Sequence, residues 1–269
     1  MSSTTDDPQG SANTTGDSEN IHACADKVLP PELAGDALAS AINERRDNIV
    51  QQHATPAASV DGPAMAVVAK RLWKPGRTLH VTFIDKPPLL VRQKVEHYAR
   101  VWEQFANIKF VFGKTSNAEI RITCTPGDGS WSWLGTEALE IPPDQPTMNY
   151  GWFDEHTADS EFERTTLHEF GHALGCIHEH MHPQGGIPWD KEKTYAWYQK
   201  TQGWSRADVD AQVFHKYSAA LLNMSAYDKT SIMHYPVPKE LTKNGFEVGW
   251  NMKLSEQDKK FIAQMYPKK

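Results

Sequence analysis

The sequence predicts an α+β fold on three observations. Short strand patterns cluster between residues 78 and 152 around one amphipathic helix. A second helix spans 161–174 and is stopped by Gly175. The remainder is loop-rich and closes on a capped helix. The chain has 269 residues, 39% hydrophobic and 23% charged, an ordinary soluble composition with enough apolar material for a core.

Residues 1–20 are rich in Ser, Thr, Asp, Gly and Asn with almost nothing apolar, so they are expected to be disordered. The segment HACADKVLPPEL follows, and then Leu33, Leu38, Ala41 and Ile42 fall at roughly helical spacing. Residues 51–63 read as a linker or an extended strap, and a globular pattern starts near Leu72. Thr78 to Ile84 is an expected strand, ended by Asp85 and the Pro87–Pro88 pair. A helix is expected from Val91 to Phe105, with Val95, Tyr98, Val101, Trp102 and Phe105 on one face. Ile108 to Phe112 and Ala118 to Cys124 are expected strands; in the second, Ile120, Ile122 and Cys124 alternate with Glu119, Arg121 and Thr123. An edge strand over 131–141 and a short strand over 146–152 follow. Helices are expected over 161–174, 191–202 and 207–216. The last helix starts after Ser255, where Ser255 and Asp258 form a capping box and Phe261, Ile262, Met265 and Tyr266 make the buried face.

The segment His168-Glu-Phe-Gly-His172-Ala-Leu-Gly175-Cys-Ile-His178-Glu179 carries the functional argument. Residues i and i+4 of a helix lie about 40° apart around the axis and about 6 Å along it, so His168 and His172 can share one cation. Glu169 sits about 100° round from His168, beside a metal rather than on it. Gly175 lets the backbone turn through a left-handed conformation and brings His178 back as a third ligand. Three protein ligands leave a position open for water, the mark of a catalytic zinc site. A lone His-x-x-x-His pair is usually only surface; Glu169, Gly175 and His178 together make coincidence a poor account. His180, His182 and His234 are expected to stay outside the ligand set, which the three histidines complete.

These residues resemble the metzincin clan, whose signature is H-E-x-x-H-x-x-G-x-x-H with a later Met-turn. Ser231-Ile232-Met233-His234-Tyr235 supplies that turn, with Met233 55 residues beyond His178. Glu179 directly after the third histidine, S-I-M-H-Y, Trp73-x-Pro75-Gly76, Tyr227-Asp228 and Leu254-Ser255-x-x-Asp258 make the chain look most like the astacin family, in a divergent microbial-type branch. The resemblance covers roughly residues 70–269. It implies a two-lobed catalytic domain: an upper lobe over about 70–178 with a twisted mixed sheet and the active-site helix, and an irregular lower lobe over about 179–269. Residues 21–69 would then be a pro-segment or strap and linker. It also implies a zinc endopeptidase with one catalytic Zn2+, ligands His168, His172 and His178, Glu169 activating the water, and Met233 as a floor beneath the metal. Tyr235 stands where the family's Met-turn tyrosine stabilises the oxyanion; it also reads as a packed aromatic. An edge strand near 131–139 would let a substrate bind by adding a strand.

Three cysteines exclude a disulfide-stapled scaffold. Cys24 lies among Ile21, Val28, Leu29 and Leu33, and a thiolate is a good zinc ligand, so Cys24 could hold the enzyme latent; Asp26 is the alternative, and an incidental thiol the bland reading. Cys124 and Cys176 read as buried thiols or as one bonded pair. A net charge of −6 with no basic stripe argues against nucleic acid, and no apolar run of about 18 residues suggests a membrane span. The polar, acidic start has neither the basic nor the apolar part of a secretory signal. The expected form therefore stays inside the cell, leaves without a leader, or has lost its signal. The expected partner is a peptide or protein substrate, met by a monomer. The competing function is a catalytically silent zinc module that binds peptides, for which a base beside the water has no use.

Overall fold

The computed structural model describes residues 24–50, 68–217 and 226–268. The tail over 1–20 and the linker over 51–63 lie outside the described residues.

The strand patterns assemble into one five-stranded sheet. Its strands are β3 (Arg77–Phe83), β4 (Ile108–Phe112), β5 (Ile120–Thr123), β6 (Ser130–Ser132) and β7 (Met148–Tyr150), ordered β4-β3-β5-β7-β6. The first four in that order run parallel, with Val81 opposite both Phe112 and Ile120 and Ile122 opposite Met148. Only β6 is antiparallel, Trp131 facing Asn149, and it forms one edge. Such mixed sheets with one antiparallel edge strand suit a core covered by helices. Two helices pack together in that core, α2 (Leu89–Ala99) and α3 (Asp159–Ala173). Leu79, Phe110, Ile120, Ile122 and Met148 from the sheet share it with Val91, Val95, Phe162 and Phe170 from the helices. Phe110 meets Phe170 edge to face at 5.0 Å, a favoured aromatic geometry.

Several elements differ from expectation for local reasons. The helix expected over 91–105 is α-helical only to Ala99 and tightens into a 3-10 turn over Arg100–Gln104. There the Arg100 guanidinium and the Glu103 carboxylate bond the backbone of Phe110 and tie the turn to β4. The edge strand expected over 131–141 stops at Ser132 and becomes a 3-10 helix over Gly135–Glu140. Gly135 has φ +49, and an added Cβ would lie 1.7 Å from the Arg71 carbonyl oxygen, so the chain turns there. Arg121, expected on a polar face, is buried, because its guanidinium satisfies the carbonyls of Ala118, Gln145 and Ile141. The helix expected over 207–216 is a short α5 (Arg206–Val209) running into a π turn over Asp210–Phe214.

Before the sheet, α1 (Ala34–Glu44) leads to a two-stranded ribbon of β1 (Ile49–Val50) and β2 (Val68–Ala69). Asn48, wholly buried, bonds the Ala41 and Leu72 backbones and sews this region to the start of the sheet domain. A second, smaller core gathers Ile187, Trp189, Tyr198, Val209, Val213, Val237, Leu241 and Val248 around α4 (Lys191–Gln202), α5 and the loops. The final helix α6 (Glu256–Met265) carries the capping box of Ser255 and Asp258. No helix among the described residues is long and apolar enough to cross a membrane.

Candidate active site

The exit of α3 is a Schellman turn. Gly175 has φ +89; its N–H donates to His172 O at 2.8 Å and the Cys176 N–H to Gly171 O at 2.9 Å. The last carbonyls of the helix find side-chain donors, Trp73 Nε1 on Ala173 O at 2.8 Å and the Tyr266 hydroxyl on Leu174 O at 2.7 Å. This holds the turn rigidly, and His178 comes back alongside His168 and His172.

The three Nε2 atoms stand 3.2, 3.2 and 3.1 Å apart. Nitrogens about 2.0–2.1 Å from one tetrahedral ion would lie about 3.3–3.4 Å from each other, so the spacing fits zinc. The outer nitrogens agree. His168 Nδ1 lies 2.8 Å from Ile232 O and His172 Nδ1 2.8 Å from Cys176 O. Each Nδ1 must donate to its carbonyl, which leaves the Nε2 lone pairs facing inward. Burial, with the neighbouring imidazoles adding, holds His168 far below its ordinary range and His172 down at about 3, so both rings are neutral. Three inward lone pairs at this distance repel unless a cation lies between them. His178 Nδ1 instead stands 2.9 Å from the Asp26 carboxylate. Burial alone would lift that carboxyl; His178, and then His172 and His180, outweigh it and hold it below the usual carboxylate range.

Cys24 joins the three histidines in the one metal-capable cluster found among the described residues, all four ligand atoms within 4.8 Å of one another. Its Sγ is 3.4 Å from Glu169 Oε2, and the other carboxylate oxygen of Glu169 is buried without a partner. Burial pushes Glu169 up to about 8. The Tyr235 hydroxyl donates to the Cys24 carbonyl, and its ring packs against those of His178, at 4.3 Å, and His180, at 4.2 Å. Met233 is buried against Gly171, where a Cβ would meet its sulfur at 2.4 Å; only glycine fits the metal helix there. Glu179 accepts from the Asp228 N–H at 2.8 Å and so links the ligand segment to the approach of the Met-turn. His180 pairs with Gln212 O, His182 with Gln184 N, and His234 with the Tyr227 hydroxyl and Tyr235 O. Of the two candidate latency residues, Cys24 lies among the histidine nitrogens of the metal-capable cluster and Asp26 lies against the outer nitrogen of His178.

Two contributors escaped the sequence reading. Asp258, read only as a helix cap, also accepts from Ser231 Oγ at 2.7 Å and Ile232 N at 2.8 Å, fixing the turn whose carbonyl orients His168. Gln212 carried no motif. The three cysteines are free thiols.

The profile of the family described as Astacin (Peptidase family M12A) matches residues 66–267. The chain belongs to the astacin family. It is therefore a zinc-dependent metallopeptidase with the metzincin fold, and the His-rich site is able to hold one zinc ion. Two solved structures of myroilysin resemble it. One is 50% identical with TM-score 0.72, covering 74% of this chain and 97% of that one; the other is 42% identical with TM-score 0.59, covering 91% and 100%. High choriolytic enzyme 1, a hatching-enzyme zinc protease of the medaka fish Oryzias latipes, shares the fold at 18% identity and TM-score 0.53, covering 74% and 96%. No curated protein sequence matches the chain.

Proposed function

We propose that this astacin-family member is an endopeptidase whose residues 24–50 keep it latent, and that His168, His172 and His178 hold the zinc. One observation carries the reading: three inward-facing Nε2 atoms beside a buried carboxylate, with a thiol from the N-terminal segment standing in their midst. When bound, zinc supplies a Lewis acid that lowers the pKa of a coordinated water to about 7 and polarises the scissile carbonyl. Glu169 takes the water's proton on a carboxylate oxygen and delivers it to the leaving amine. The Tyr235 hydroxyl, which here donates to a peptide carbonyl, donates to the scissile carbonyl oxygen as negative charge gathers on it. Met233 packs beneath the histidines without binding the ion. Cys24 takes the place of water in the latent chain, and its Sγ also covers the oxygen of Glu169 that would accept the proton.

The test is hydrolysis of casein and a fluorogenic peptide by the intact chain, with zinc content measured on the same samples. Cys24→Ala is expected to raise activity about 10²-fold, the order expected when a tethered occupant leaves a site. Adding Glu169→Gln to that variant should lower kcat about 10²–10⁴-fold while one zinc per chain is kept. Equal activity of wild type and Cys24→Ala would end the latency assignment, and full activity without Glu169 would end its role as base.

A further inference from the structure

The N-terminal strap is held at the site by its peptide groups as well as by the Cys24 and Asp26 side chains. Asp26, two residues along from Cys24, is gripped at both main-chain polar atoms by one side chain. Its N–H donates to Gln212 Oε1 at 2.9 Å, and Gln212 Nε2 donates to its carbonyl at 3.1 Å. The Cys24 carbonyl is taken by the Tyr235 hydroxyl. A primary amide that pairs with the N–H and C=O of one residue presents the same donor and acceptor as the edge of a β-strand, and it takes no account of that residue's side chain.

Gln212 is itself fixed in place. It lies in the π turn that follows α5, its own carbonyl accepts from His180 Nε2 at 2.8 Å, and the adjoining Val213 is wholly buried. His180 is wholly buried too, its ring stacked on Tyr235. A segment of constant sequence does not require a holder indifferent to side chains; a succession of substrates with different sequences does. Resting on the peptidase reading above, we infer that Gln212 is a substrate-binding residue: once the strap leaves, it takes both main-chain polar atoms of the substrate residue two places from the one at the metal. His180 and Tyr235 join this grip to the zinc site, so peptide registration and chemistry share one wall.

The experiment scans a cleavable peptide with single N-methyl groups at each position within three residues of the scissile bond. Substrates are compared in the full-length, zinc-loaded chain carrying Cys24→Ala, alone and with Gln212→Ala or Gln212→Glu. Competition from the tethered strap enters both arms of each comparison and cancels in the ratio of methylated to unmethylated substrate. One position is expected at which methylation lowers kcat/KM about fivefold more in the parent than in Gln212→Ala, chiefly through KM, as for loss of one hydrogen bond. Gln212→Glu keeps the acceptor and should restore the methylation penalty at that position. Cleavage with the same penalty in parent and Gln212→Ala at every position overturns the inference and leaves Gln212 a holder of the strap alone. Failure of every zinc-loaded variant to cut any peptide overturns the peptidase reading, and the inference falls with it.

Discussion

Glu169 and Cys124 show how burial sets the behaviour of single groups here. Glu169 has one carboxylate oxygen facing the Cys24 thiol and the other without a partner, and the residue is wholly buried. Cys124 follows β5, and burial, with the Asp85 charge adding, pushes its thiol up to about 12. An ordinary unfolded thiol ionises near 8.5. Between those values the unfolded chain releases a proton that the folded chain keeps, so the contribution of Cys124 to stability falls as pH rises above about 8.5, by up to about 1.4 kcal/mol per pH unit. Urea unfolding of wild type and Cys124→Ala from pH 7 to 10.5 isolates it: the stability difference between the two should change above pH 8.5, with the wild type losing more. Parallel curves would show that Cys124 is not held neutral by the fold.

Among the elements, α3 and its exit turn depend most on backbone detail. Gly175→Ala forces an L side chain into φ +89, and its Cβ would stand 3.0 Å from Leu72 Cδ2 and 3.1 Å from the Arg71 carbonyl oxygen. The expected loss is about 1–3 kcal/mol in urea unfolding, accompanied by weaker zinc retention, since the turn sets where His178 returns. Stability within about 0.5 kcal/mol of wild type would contradict the strained-turn account. This part of the molecule was legible in the sequence because its determinants are local: ligand spacing, the turn glycine and the Ser255–Asp258 capping box all act within a few residues. The strand over 131–141 and the helix over 207–216 were misjudged for the opposite reason. The Arg71 carbonyl pressing on Gly135 is a contact across more than sixty positions, and no periodicity announces it. Gln212 was invisible as a site residue for the same cause, its partner Asp26 lying 186 positions away.

At the scale of the whole chain, the metal position is where separate regions meet. Two of the metal-capable histidines come from α3 and the third from the segment leading to the smaller core, while the backbone of Ile232 and Met233 bonds His168 and Glu179. Chelation should therefore lower the thermal midpoint by several degrees, and added zinc should restore it, because an ion that binds only the folded state stabilises by mass action. An unchanged midpoint with the metal verifiably gone would mean the three rings hold their places without it. The alternation of apolar residues made the sheet readable; the packing of a strap from the front of the chain onto a turn near residue 212 is written only in three dimensions. One arrangement also bears on how the protein is made. Asp258 secures the loop that orients His168, and Tyr266 secures the carbonyl at the end of α3, yet both are synthesised some ninety positions after the histidines they serve. A chain still emerging from the ribosome thus lacks the last braces of this site, while residues 24–50, whose Cys24 reaches the same cluster, are already made.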